Sequence, residues 1–380
     1  MPHPWLDVDA LLANPDTRIV VCCGAGGVGK TTTAAAIGVR AAEEHGRRVV
    51  VLTIDPARRL AQALGLTELD NTPRPVKGLR AEASGELFAM MLDMKRTFDE
   101  VVLTHTERRR AEEIFANPFY QAMSSTFAGT QEYMAMEKLG QLRATDEWDL
   151  IVVDTPPSRS ALDFLDAPQR LARFLDGRML KVLVSPARAG GRSMFNLVTA
   201  SFGVFSRAVQ KILGTQLLSD LSGFVGALDS TFGGFRQRAE HTYRILQADE
   251  TSFLVVAAPE PDAIREAGYF AGRLAADRMP LQGLILNRVH AVDTDELPAA
   301  EALAAADRLD GLGGYPETAG ALRVHAQLVE RVARESAVAA RFTDSYPRVP
   351  VAAVTAQPAD VHDIDGLRGI ATVLCTRPGR

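Results

Sequence analysis

Short apolar runs alternate with longer stretches of helical period at both ends of this chain. Runs at Arg18–Cys23, Arg48–Ile54, Leu87–Leu92, Trp148–Val153, Phe253–Ala258, Leu281–Leu286 and Val349–Val354 predict strands. Helical pattern follows at Thr31–Glu44, stopping near Gly46, and again at Ala263–Ala276 and Ile364–Leu374. Strands that are apolar at nearly every position belong to a sheet covered on both faces, and helices between them imply parallel crossovers. The prediction is an α/β fold, a mostly parallel sheet with helices on both faces. Two intervals, at about 94–145 and 178–249, carry no strand pattern and predict helical excursions. They would form a helical subdomain within one domain spanning 15–375. Asn71–Lys77 and Pro186–Arg192 predict loops, and Ala-rich Pro298–Leu322 predicts a surface helix with its loop.

Composition narrows the class. The chain has 380 residues, 47% hydrophobic and 23% charged, which is globular rather than disordered. Net charge is −5, so a duplex-DNA binder held by clustered positive charge is disfavoured and no nucleic-acid partner is expected. No apolar run reaches the length of a membrane span, and the first residues lack the basic-then-apolar form of a signal peptide. Three cysteines, two of them adjacent, make neither a disulfide framework nor a zinc clip. The expectation is a cytoplasmic protein without stable membrane insertion, at most peripheral at a membrane. Of 42 basic residues only six are lysine, so a lysine in a special place stands out.

One does. Gly24-Ala25-Gly26-Gly27-Val28-Gly29-Lys30-Thr31 has the form G-x-x-x-x-G-K-[ST], follows a strand and opens a helix. Such a loop turns successive N–H groups toward phosphate oxygens, and the helix N-terminus adds its partial positive charge. Lys30 would neutralise β- and γ-phosphate charge, and Thr31 would ligate Mg²⁺. This makes the α/β fold a P-loop NTPase. Asp55 closes the second strand at the carboxyl edge, where open α/β sheets bind ligands. It could orient water, or merely cap the helix after Pro56. Asp154, ending Ile151-Val152-Val153-Asp154, has the form of a Walker B carboxylate that holds Mg²⁺ directly or through water. Asn287, in Leu286-Asn287-Arg288-Val289-His290, could read a base edge or serve as a turn residue. His290, where a guanine reader would carry Asp, favours adenine and hence ATP.

The phosphate loop, Thr53-Ile54-Asp55-Pro56-Ala57-Arg58-Arg59-Leu60, Leu87-Phe88-Ala89-Met90-Met91-Leu92-Asp93 and Asp154-Thr155-Pro156-Pro157-Ser158 occur in order. Together they resemble the anion-transporting ATPase family, which includes the arsenite-pump ATPase and the GET-pathway ATPase that delivers tail-anchored proteins. The resemblance runs from about Arg18 to Leu374 and is firmest over the nucleotide segments. It implies a dimeric ATPase whose two nucleotides face each other and whose helices rearrange on hydrolysis. By position it implies Gly26–Thr32 on phosphates, Thr31 on Mg²⁺, Asp55 positioning the attacking water and Asp154 opening switch II. It further implies Asn287 and the Val354–Gln357 loop, Thr355 included, around adenine, and Glu260 near the partner's nucleotide.

Departures from the family pattern carry equal weight. Members usually bear a signature lysine just after the first loop glycine, and here that residue is Ala25. Either a slow homodimer works without it, or another cation replaces it, or the chain is a weakly active subunit paired with a paralogue that supplies the lysine. Arg159-Ser160 replaces the family's Gly-His pair in switch II. The zinc-clasping and arsenite-binding cysteines have no counterparts. Leu217, Leu218, Leu221, Phe224, Val225, Leu228 and Phe232 form an apolar stripe at helical spacing, with more apolar bulk upstream from Met194. It is either core or a groove for a hydrophobic client helix. The function expected is an Mg²⁺-dependent ATPase cycle coupled to a protein or membrane partner. The remaining alternative is a ParA/MinD-like positioning ATPase.

Overall fold

The structure, a computed structural model, describes residues 3–55, 59–117, 120–121, 130–156, 237–292 and 297–377. The chain divides into two compact units. The first comprises Met1–Met91, Thr145–Leu162 and Ile245–Arg380, and the second Leu92–Ala144 and Asp163–Arg244. Arg159, the Pro186–Arg192 loop, the Leu217–Phe232 stripe and the upstream apolar residues lie outside the described residues.

The first unit is built on eight strands: β1 (Ile19–Cys23), β2 (Arg48–Thr53), β3 (Arg74–Pro75), β4 (Glu86–Met91), β5 (Leu150–Asp154), β6 (Thr251–Ala257), β7 (Leu281–Val289) and β8 (Val351–Thr355). Their order is β3-β4-β2-β5-β1-β6-β7-β8. Every pairing is parallel except that of the two-residue edge strand β3 with β4. β1 and β5 are buried at all five positions and β6 at all seven, as apolar runs without alternation require. β1 lies between β5 and β6: the chain passes from β1 to β2 on one side of it, and β6, β7 and β8 lie on the other. That reversal opens a crevice at the carboxyl ends of the strands. The β1–β5 and β2–β5 registers pair Cys22 with Asp154 and Thr53 with Asp154, so the ends of three strands meet at one level.

The helices of this unit are α1 (Val8–Ala13), α2 (Lys30–His45), α3 (Arg59–Ala63), α7 (Pro261–Ala276), α8 (Ala299–Leu312), α9 (Pro316–Ser345) and α10 (Ile364–Cys375); α4 to α6 belong to the second unit. Ala-rich α2 and the apolar side of α10 cover one sheet face, with Val20, Cys22, Val49, Val51, Val152, Leu254 and Val256 in that core. Elements fall close to the expected bounds, with three corrections. Pro298–Leu322 is not one surface helix and loop: α8 ends at Leu312 and a 30-residue helix, α9, begins at Pro316. Arg74–Pro75 is an edge strand within the expected loop, a place that tolerates proline. The six-residue α1, capped by Asp7 through the Ala10 amide, falls where no element was expected.

In the second unit, α4 (Met94–His105), α5 (Arg108–Phe115) and α6 (Thr130–Ala144) are helical, as are residues 237–244. Asp93 caps α4 by accepting from the Arg96 amide. Glu137, almost fully buried, is held by Arg238 at 2.9 Å, and Lys138 meets Glu100 at 2.7 Å. Tyr120 is buried and donates its hydroxyl to Asp99 at 2.6 Å; burial, then that carboxylate, push the phenol well above its usual range.

Candidate active site

The loop after β1 turns back on itself because two positions accept no side chain. Gly24 has φ +152°, and a Cβ there would lie 2.0 Å from the Val256 carbonyl oxygen of neighbouring β6. Gly29 has φ +93°, and a Cβ would lie 2.2 Å from the Asn287 amide nitrogen. That amide donates to the Val28 carbonyl at 2.8 Å. β6 and β7 therefore back the loop with a carbonyl and an amide, and α2 starts at Lys30 immediately beyond it.

Lys30 is buried, and its ammonium donates to the Ala25 carbonyl at 2.8 Å, spanning the loop it closes. Burial lowers its pKa, opposed by the charges of Asp154, Cys23 and Asp55. Ala25 itself is packed in the core with Val28.

At the base of the loop, Asp154 accepts from Thr31 Oγ1 at 2.8 Å and from Thr53 Oγ1 at 2.9 Å, both on Oδ2. Its Oδ1 is buried with no hydrogen-bond partner among the described residues. Burial pushes this carboxyl up to about 6, against the two hydroxyl donors and the Lys30 charge. A buried carboxylate oxygen without a donor, beside a threonine hydroxyl under a phosphate loop, suits a hard divalent cation. The donor set fits Mg²⁺.

A cavity of about 410 Å³ opens above these groups, entirely within the first unit. Six of the residues singled out from sequence, Gly27, Gly29, Lys30, Thr31, Thr32 and Asp55, line it. Gly24, Gly26 and Val28 belong to the loop without lining the cavity, and Asn287 braces it from behind. Glu260, exposed at the start of α7, and Thr355, exposed at the end of β8, do not line it. Seven other residues complete the wall: Arg59, Gln62 and Ala63 from α3, Arg288 after Asn287, and Asp360, Val361 and His362 beyond β8. The last three follow the expected Val354–Gln357 loop by a few residues. Only the rule that ligands sit beyond strand carboxyl ends pointed to them. Arg288 adopts φ +63° where the β7–β8 register shifts.

Cys22 and Cys23 lie on opposite faces of β1, as strand alternation predicts; Cys22 joins the α2 core and the Cys23 thiol faces the Leu254 carbonyl. Burial raises both thiols, Cys23 to about 12, so both stay protonated.

A phosphate loop at the reversal point of a parallel sheet, with a hydroxyl–carboxylate pair beneath it, defines a P-loop nucleoside triphosphatase. The model of the anion-transporting ATPase family matches residues 17–308, and the chain belongs to that family. It is an ATP-hydrolysing enzyme. It is 25% identical over 292 residues to ATPase ARSA2 of Chlamydomonas reinhardtii, covering 76% of this chain and 72% of that protein. It is also 25% identical over 266 residues to an ATPase ASNA1 homolog of Cryptosporidium parvum, covering 70% and 63%, and 28% identical over 165 residues to ATPase GET3 of Malassezia globosa, covering 43% and 46%. For the last two, the match spans less than two-thirds of the relative's own length. The family match ends within α8, leaving α9, β8 and α10 beyond it.

Proposed function

We propose that this chain is an Mg²⁺-dependent ATPase, working as a dimer, whose turnover drives a conformational cycle coupled to a protein or membrane partner. The observation that supports it best is the cavity in which Lys30, Thr31 and Asp55 stand above the half-bonded Asp154. Thr31 and Asp154 would hold Mg²⁺, which supplies charge neutralisation to the phosphates. Loop amides and Lys30 bind the β- and γ-phosphates. Asp55, half-buried on the cavity wall, orients the attacking water. Asn287 adjoins the loop on the side proposed for adenine, with Thr355 nearby in sequence to the wall at 360–362. Glu260 is proposed to face the partner protomer's nucleotide.

Thr53 and Asp55 bracket the point where β2 ends, and Asp154 precedes the sequence that leads into the second unit. We propose that these two segments report the state of the γ-phosphate to the helical excursions, a subdomain of the ATPase domain, and that a hydrophobic client helix is their cargo. Ala25 favours a second reading, a weakly active subunit beside a lysine-bearing paralogue.

The test is steady-state hydrolysis by the full-length chain with and without Mg²⁺. Lys30→Ala should lower turnover at least 100-fold, and chelating Mg²⁺ should abolish it. Turnover that survives Lys30→Ala would refute the site. Co-purification of a stoichiometric lysine-bearing chain, with turnover only in its presence, would favour the second reading.

A further inference from the structure

Hydrolysis of ATP forms a bond from a water oxygen to the γ-phosphorus while the bond from that phosphorus to the β–γ bridging oxygen breaks. The electron pair leaves with ADP, one water proton stays on the phosphate and the other passes to solvent. Negative charge shifts during this step, and a cation placed on the γ-phosphoryl oxygens lowers the barrier by orders of magnitude. Lys30 is one such cation, but its ammonium already spans the loop to the Ala25 carbonyl. Ala25 supplies none.

The cavity wall holds two arginines, and their positions differ. Arg288 stands at the end of β7 beside Asn287, on the side proposed for the base. Arg59 stands four residues beyond Asp55, at the start of α3. Arg59, Gln62 and Ala63 all line the cavity, and their i, i+3, i+4 spacing puts them on one face of that helix. Leu60 and Leu64, on the other face, are anchored in the core. The Arg59 side chain is exposed and forms no ion pair or hydrogen bond with the described residues. Two cations on the wall of one cavity, one of them uncommitted, make a place for an anion more highly charged than either residue neutralises alone.

We infer that Arg59 is the second cation of this ATPase site, its guanidinium contacting the γ-phosphoryl oxygens of ATP bound to the same protomer. The inference rests on the P-loop reading above and adds to it. A planar guanidinium presents paired donors that match two phosphoryl oxygens. Arg59 approaches from the α3 side of the cavity, four residues beyond the carboxylate that orients water, so it gains most as the γ-phosphoryl moves toward that water. It acts in cis, so the chain needs no lysine from a partner, and Ala25 is a loop residue freed of that duty.

The experiment compares full-length wild type, Arg59→Ala, Arg59→Lys, Arg59→Gln and Lys30→Ala. It measures turnover, the affinity for a fluorescent ATP analogue, and the affinity for ADP with fluoroaluminate as a mimic of the transferring phosphoryl. Wild type alone should turn over. Arg59→Ala should lower kcat by about 10²–10³-fold with analogue affinity changed by no more than about fivefold. Its fluoroaluminate complex should weaken in step with kcat, and Arg59→Lys should recover part of both. A kcat within about threefold of wild type would overturn the inference, as would a lost kcat with unchanged fluoroaluminate affinity. So would a wild-type chain that turns over only with a lysine-bearing partner. Should Arg59→Ala unfold, Arg59→Gln, which keeps the stem length, carries the same comparison. Failure of the P-loop reading looks different: Lys30→Ala would then retain turnover, whatever the arginine variants do.

Discussion

Asp154 carries one oxygen that accepts two hydroxyls and another that accepts nothing. Its carboxyl titrates at about 6 in the folded chain, against 3.8 as its ordinary value. Between those values the folded chain keeps a proton that the unfolded chain has lost, so nucleotide-free stability falls as pH rises through the window. Above about pH 6 the full cost is present. Asp154→Asn should therefore raise the melting temperature of the nucleotide-free protein at pH 7.5 by a few degrees, and the difference should shrink toward pH 5. An unchanged melting temperature at both pH values would refute this balance. Gly24 gives a second residue-level test. Its positive φ and the 2.0 Å approach to the Val256 carbonyl mean that Gly24→Ala must displace the loop or β6. We expect a loss of at least about 2 kcal/mol of stability and of nucleotide binding together, read by denaturant unfolding and analogue titration. At this scale the sequence was legible where chemistry imposes a spacing: Gly24, Lys30, Thr31, Asp55 and Asp154 stand in motifs. Arg288 and residues 360–362 carry no motif, because a cavity wall asks only that some side chain be there. The Asn287 brace was hidden for another reason, since its partner is a main-chain carbonyl that no sequence displays.

Among elements, one buried ion pair outside the site joins α10 to α2. Arg368 forks onto Glu43, whose side chain is only 2% exposed, at 2.7 Å, and donates as well to the Gly78 carbonyl. Burial alone would raise the Glu43 carboxyl, but hydrogen bonds from Arg368 and the Arg80 amide, with the charges of both arginines, hold it below its ordinary value. Its contribution is thus present above that ordinary value and is lost as pH falls through the lowered one. Arg368→Ala leaves this carboxylate with the Arg80 amide and guanidinium alone and should cost about 1.5 kcal/mol in equilibrium unfolding at neutral pH. Arg368→Ala combined with Glu43→Gln should recover a large part. Additive losses would refute the coupling. The strands and α2 announced themselves because burial on both faces leaves little room for polar residues. α9 did not: of its thirty residues only Ala319, Ala326 and Phe342 are fully buried, so its apolar period is faint. β3 was hidden by its own proline, and α1 by its brevity.

For the whole molecule, the cavity proposed for nucleotide gathers residues far apart in the chain, from Gly27 to His362. A ligand held there stabilises the entire first unit by mass action. A nonhydrolysable ATP analogue with Mg²⁺ at about 100 times its dissociation constant should add about 2.7 kcal/mol to stability. Lys30→Ala should remove most of the corresponding rise in melting temperature, and an undiminished rise would place the ligand elsewhere. The architecture was legible at this scale as apolar strands between helices, but the strand order was not, because parallel neighbours need not be neighbours in sequence. That order bears on how the protein is made. β1 and β2 are never paired with each other; β5 lies between them, and β6 flanks β1 on the other side. Cys23 and its β6 neighbour Leu254 are 231 residues apart. A growing chain therefore carries its central strand with both edges open until β5 is made and with one edge open until β6 is made, and nucleotide has no cradle to stabilise during that time. The loop after β1 must wait for β6 to back it, and its far wall for the residues that follow β8, before the cavity is complete. The catalytic loop is written early and assembled late, so the newborn chain depends on protection from other strands rather than on its own ligand.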